Sequence, residues 1–204
     1  MTALILTVVL ILAIKATIEI RQFKKNVQQV VNIINTSIAT IDVISSTPPN
    51  MDLSINKYLA NFKQELGIIV DEYSAEKVNA ADKIRDTVGE ILVIRQTFQL
   101  KALETISSLT TLKTILTSTK QKLSSLTLPT TSNIGLFLSE LDKAIAIKKQ
   151  ISQEMEVLIK EKNDFITKTN SLCTQAKVDG EAIQEGVGKN ICNHFWVTDP
   201  IIKL

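Results

Sequence analysis

Glycine and proline are scarce, with six and four among 204 residues. A β-sandwich or an α/β enzyme of this length needs many more turn residues, so a small number of long helices is the economical solution. Aromatic residues are scarce too, at 4 %. That leaves few platforms for stacking bases or sugars and points to a core of Ile, Leu and Val. Neither sign of charge dominates, with 23 Lys+Arg against 21 Asp+Glu. No global basic field exists to attract nucleic acid.

Chemistry-bearing residues are equally thin. His194 is the only histidine, so a His-based triad or a multi-His metal site has one candidate. Cys192 lies two residues away, but zinc wants about four ligands at defined spacing and only Cys173 could join. Gly186-Val187-Gly188-Lys189 lacks the spacing of a phosphate loop and has no strand before it. Asp71-Glu72 sits among lysines and reads as a solvated face. These absences argue against an enzyme, against a cofactor and against a small-molecule substrate.

One apolar run is present. Ala3 to Ile14 is twelve residues long and ends at Lys15. It is too short for a ~30 Å hydrocarbon layer, which needs about 20 residues, but it suits the core of a secretory signal. Cleavage is expected after Ala16, giving a signal over residues 1–16 and a single helical domain over 17–204. The alternative is a retained anchor over residues 3–14. Lys15, Arg21, Lys24 and Lys25 would then hold the body in the cytosol by the positive-inside rule.

Two cysteines agree with export. Cys173 and Cys192 have 18 residues between them, and a disulfide closing such a loop is worth ~3 kcal/mol on the chain-entropy model. It would clasp the tail onto the last helix. Asn35-Thr36-Ser37 is a glycosylation sequon, which makes Asn35 a candidate glycan site. Phe195-Trp196 is the one aromatic cluster and a candidate anchor for a partner or a membrane interface, although packing against the disulfide is the preferred explanation.

The rest of the chain repeats apolar residues at threes and fours, the mark of amphipathic helices. Ile20, Phe23, Val27, Val30, Ile34, Ile38, Ile41 and Ile44 make one stripe over residues 17–46, ended by Thr47-Pro48-Pro49-Asn50. Ile55, Leu59, Phe62, Leu66, Ile69 and Tyr73 begin a second block over 51–126. It continues through Ala80, Ile84, Val88, Ile91, Phe98, Ala102, Ile106, Leu109, Leu112, Leu116, Leu123 and Leu126. As one straight helix it would exceed about 100 Å at ~1.5 Å per residue, so a break is expected. Ser74 to Asn79, with Asn79 as a cap, and the stretch after Leu100 are the two candidates. Between Thr105 and Ser132 more than half the residues are Ser or Thr. The leucine spacing there still favours a helix with a hydroxyl-rich outer face over a mobile, glycosylated segment.

Leu128 to Asn133 forms a loop before a third helix over 133–177, stopped by Asp179-Gly180. Its buried stripe reads as Leu138, Leu141, Ile145, Ile151, Met155, Leu158, Phe165 and Leu172. Glu156 with Lys160 and Asp164 with Lys168 are four-residue pairs in the favourable order. A short tail, 178–204, follows.

The expected fold is all-α: an elongated, antiparallel, coiled-coil-like bundle of three to four long helices with a short C-terminal tail. The expected function is that of a secreted, non-enzymatic protein acting through protein–protein contacts or self-association along its amphipathic faces. A lipid-binding or membrane-acting bundle is the first alternative, and a membrane-anchored cytosolic coiled coil is the second. Against lipid, the faces lack the concentrated Lys/Arg rim and the Trp/Phe content expected of interfacial helices.

Overall fold

The computed structural model describes residues 2–46, 75–182 and Lys189, with side-chain burial from Leu12 and from Lys77 onward in the first two stretches. Three helices make up nearly all of it: α1 (Thr2–Ser45), α2 (Ala75–Ser124) and α3 (Thr131–Glu181). No strand occurs among the described residues, and the all-helical expectation holds. The predicted first half of the second block, the Pro48-Pro49 stop and the C-terminal clasp lie outside the described residues. The chain divides into two compact units. Unit one joins Met1–Ser46 to Ser107–Met155, and unit two joins Thr47–Ile106 to Glu156–Leu204.

In unit one the stripe predicted on α1 is the stripe that packs. Phe23, Val27, Val30, Ile34, Ile41 and Ile44 are buried, while Ile20 and Ile38 are half-buried. Leu109, Leu112, Leu116 and Leu123 of α2 and Ala144, Ile147 and Ile151 of α3 complete the core. Fully burying an Ile or Leu side chain contributes roughly 1.5–3 kcal/mol, so this stripe outweighs the mediocre helix propensity around it.

Cross-helix contacts fix the directions. Lys122 meets Glu140 and Ser108 meets Glu154, so fourteen residues back along α2 match fourteen forward along α3. These two segments are therefore antiparallel. Phe23 meets Phe137 edge to face at 5.7 Å, and Ile33 and Thr40 share a groove with Lys148 and Met155. Residue numbers on α1 and α3 rise together, so these segments are parallel.

In unit two, Ala80, Ile84, Val88, Ile91 and Phe98 of α2 face Leu158, Phe165, Cys173 and Ala176 of α3 as the buried apolar set. Phe98 stacks on Phe165 with centroids 4.8 Å apart and planes 11° from parallel. Lys101 pairs with Glu161 at 2.8 Å. The intrahelical pairs Glu156–Lys160 and Asp164–Lys168 do not close as ion pairs; Glu161 reaches across to the neighbouring helix instead.

Helix α1 spans Thr2–Ser45, so the expected signal and the first block lie on one helix. Several local expectations need correction. Helix α2 begins at Ala75, inside the predicted interruption, and Asn79 sits in its interior rather than at its cap. No break follows Leu100. The helix continues to Ser124 because its leucines are buried and its hydroxyls find backbone partners. Thr111, Thr114 and Thr117 donate to the carbonyls four residues earlier at 2.9–3.2 Å, which satisfies them without leaving the helix.

Helix α3 starts two residues earlier than expected and runs past Asp179-Gly180 to Glu181. Thr130 is its cap. Its hydroxyl accepts from the Asn133 amide at 3.2 Å, and its carbonyl accepts from the Ile134 amide at 2.8 Å.

The largest correction lies in the first half of α3. Leu138 and Ile145, expected in the core, are 52 % and 59 % exposed, and Leu141 is half-buried. The buried positions are Glu140, Ala144, Ile147 and Ile151. This half of the helix carries two arcs of threes and fours, and the chain packs the one with the smaller and more polar members.

Candidate functional surface

Among the described residues no group of three or more His, Cys, Asp or Glu side chains could hold a metal ion. Cys173 is buried in α3. Its expected partner Cys192 lies outside the described residues, as do His194, Phe195, Trp196 and the acidic pair Asp71-Glu72. Asn35 is exposed on α1, in mid-helix rather than on a loop. In its sequon, the Ser37 hydroxyl donates to the Ile33 carbonyl at 3.0 Å.

The surface offers three other features, all in unit one. The first is an apolar stripe outside the core. Ile134, Leu138, Leu141 and Ile145 repeat at four, three and four along α3. At ~100° per residue they lie about 120° around the helix from the buried set. Ile134 is exposed with Leu138 and Ile145. The stripe runs toward a groove of about 300 Å³ between α1 and α3. Ile33, Thr36, Ser37 and Thr40 line one wall, and Lys148, Ile151, Ser152 and Met155 the other.

The second is a cationic end. Arg21, Lys24 and Lys25 of α1, Lys122 of α2 and Lys143 of α3 are all exposed. The Phe23–Phe137 and Lys122–Glu140 contacts bring these three stretches to one level. Exposed Ile18, Leu128 and Leu136 sit among them. Facing them are exposed Glu19 and Asp142 and buried Glu140. No single helix carries this cluster, which is why reading one face at a time missed it. No helix among the described residues is long and apolar enough to cross a membrane.

The third is Glu140 itself, the most buried charged side chain described, with 2 % side-chain exposure. One oxygen, Oε1, accepts from Lys143 Nζ at 2.8 Å and from Lys122 Nζ at 3.3 Å. Oε2 is buried without a hydrogen-bond partner. The Lys143 hydrogen bond holds the carboxyl below its ordinary value. Burial pushes the other way, and Lys122 and Thr119 add to the lowering. Sequence reasoning passed over this residue, although stepping back from Ile151 by four, three and four lands on Ile147, Ala144 and Glu140.

None of these groups is arranged as nucleophile with base, or as acid with base in a cleft. Compared with known protein families, with curated proteins and with solved structures, the chain matches none of them.

Proposed function

We propose that this is a secreted, non-enzymatic helical protein that acts by binding another polypeptide surface along an amphipathic helix face. The observation that carries the reading is the second apolar stripe of α3. Ile134, Leu138, Leu141 and Ile145 have the spacing and composition of a core, yet among the described residues none of them is fully buried. A coherent exposed stripe of this kind marks an interaction site, whereas scattered apolar residues do not. Its near-heptad spacing suits coiled-coil-like packing against a partner helix.

Export is supported by where packing on α1 starts. Residues 12–19 are all exposed, Ile20 is half-buried and Phe23 is the first buried position among those whose burial is described. The parallel register that sets Phe23 beside Phe137 brings residue 17 level with Thr131, the first residue of α3. Removing residues 1–16 would leave the described core of unit one untouched. In the same reading Cys173 and Cys192 form the clasp, Asn35 carries a glycan, and Phe195-Trp196 pack on the tail or meet the partner.

A second reading, a protein that works on lipid, is favoured by the cationic end with Ile18, Leu128 and Leu136 exposed within it. Apolar side chains ringed by Lys and Arg suit the headgroup layer of an anionic bilayer.

One experiment separates these from the anchored alternative. The full-length chain is expressed in secretory cells, and medium and membranes are fractionated by flotation. Chain in the medium that begins at Thr17, stays with the lipid-free fractions, runs faster before reduction and shifts with glycosidase is the expected result. Chain that floats with lipid would replace the first reading by the second. Intact chain held in cell membranes with reactive Cys173 and Cys192 thiols would overturn both in favour of the cytosolic anchored coil.

A further inference from the structure

We propose that the partner on the α3 face is a second copy of this chain, paired antiparallel across a twofold axis near residue 146. The inference rests on the reading of that face as an interaction surface and adds the identity of the occupant.

Charge carries the argument. Asp142 and Lys149 are both exposed and flank the stripe on its solvent side, one heptad apart. Neither forms an ion pair within the described chain, although their neighbours Glu140 and Lys143 do. If two stripes pair in parallel, the flanking Asp142 and Lys149 of the two copies lie on opposite sides of the seam and gain no contact with each other. If they pair antiparallel, Asp142 meets the partner's Lys149, and symmetry repeats the contact. Unlike charges beside an apolar seam select orientation in helix pairs, and here they select the antiparallel one.

The apolar seam agrees with that register. Continued past Ile145 at threes and fours, it reaches Lys148, Ser152 and Met155. Antiparallel pairing then sets Leu138 against the partner's Met155, Leu141 against the partner's Ser152 and Ile145 along the aliphatic stem of the partner's Lys148. Large residues oppose small or flexible ones. The groove of about 300 Å³ beside Ser152 and Met155, walled by Thr36, Ser37 and Thr40 of α1, gives the incoming leucines room. A twofold interface uses one patch twice, so a self-complementary stripe is what it requires.

The test is sedimentation equilibrium on the secreted chain purified from medium, with circular dichroism to verify helicity. Asp142 and Lys149 are exposed and unpaired, so substituting them leaves the fold intact. Asp142→Lys and Lys149→Asp each turn two attractive contacts into two repulsive ones. Each is expected to weaken self-association about tenfold or more. Mixing the two single variants restores unlike pairs in the heterodimer, and the wild-type association constant should return. The double variant D142K/K149D should also associate like wild type.

A chain that stays monomeric at all concentrations overturns the proposal. So do single variants that associate normally, or a mixture that stays apart. If a monomeric chain still crosslinks through position 145 to a different protein, the second copy is wrong and the interaction face stands. If it crosslinks to nothing, both readings fall.

Discussion

Replacing Phe165 by alanine is expected to cost the fold about 3–5 kcal/mol. Phe165 is 2 % exposed and stacks on Phe98, itself buried. The aromatic pair adds roughly 0.5–1.5 kcal/mol beyond the area it buries. A groove of about 140 Å³, lined by Val93, Thr97, Lys101 and Glu161, already adjoins the rings. The neighbours are thus spread around existing space, with the Lys101–Glu161 pair bridging the two helices at its rim. Neighbours that already border open space have few contacts with which to fill the void left by Phe165, so most of the cavity cost should remain. Urea unfolding followed by helical ellipticity measures it. Val93→Ala, at an exposed position of the same groove, serves as the control and should change stability by less than about 0.5 kcal/mol. Equal, small effects of both substitutions would mean that the stack contributes little to unit two.

Replacing Glu140 by leucine should do the reverse. The carboxylate occupies a buried position on the same face of α3 as Ala144, Ile147 and Ile151, where an apolar side chain fits the pattern. Only one of its oxygens is hydrogen-bonded. Exchanging a buried ion for an apolar residue of similar volume is often neutral or stabilising by about 1–4 kcal/mol. The usual objection is a stranded counter-charge. It does not apply, because Lys122 and Lys143 keep about half of their side-chain surface in water. For a chain of this size each kcal/mol is worth about 2–4 °C in midpoint.

The sign of the pH dependence follows from the lowered carboxyl. A group with a folded value below its ordinary 4.5 adds stability above that pH. The contribution is lost as pH falls through the lowered value. Wild type should therefore lose stability on acidification below pH 4.5, and Glu140→Leu should lose less of it. Thermal melts of both proteins at neutral and acidic pH decide the matter. A variant less stable than wild type at neutral pH would show instead that the Lys122–Glu140–Lys143 contacts contribute more than they cost.

Much of the fold was legible because Ile, Leu and Val at threes and fours leave few choices. On α1, Phe23 to Ile44 had one apolar arc and one polar one, and the stripe was read correctly. On α2, burial of Leu109, Leu112, Leu116 and Leu123 overrode hydroxyl-rich flanks, as their spacing implied. The first half of α3 defeated the same method, because it holds two arcs of similar period. Hydrophobicity ranked Leu138 and Ile145 above Glu140 and Ala144. Packing chose otherwise, since a small Ala144 admits the neighbouring helices and Glu140 meets Lys143 one turn on and Lys122 from α2, the second hidden by sequence distance. The misreading points directly to the face available for binding. The cationic end escaped for a simpler reason: its members come from three helices, and only the packed chain gathers them.

The central claim is that the second α3 stripe is covered by another polypeptide. The most direct test places a benzophenone side chain at Ile145 in the chain secreted by cells, with the same label at exposed Ser118 of α2 as control. Ultraviolet light should join the Ile145 derivative to a second polypeptide in high yield and the Ser118 derivative to nothing. Position 145 giving no more intermolecular product than position 118 would contradict the account.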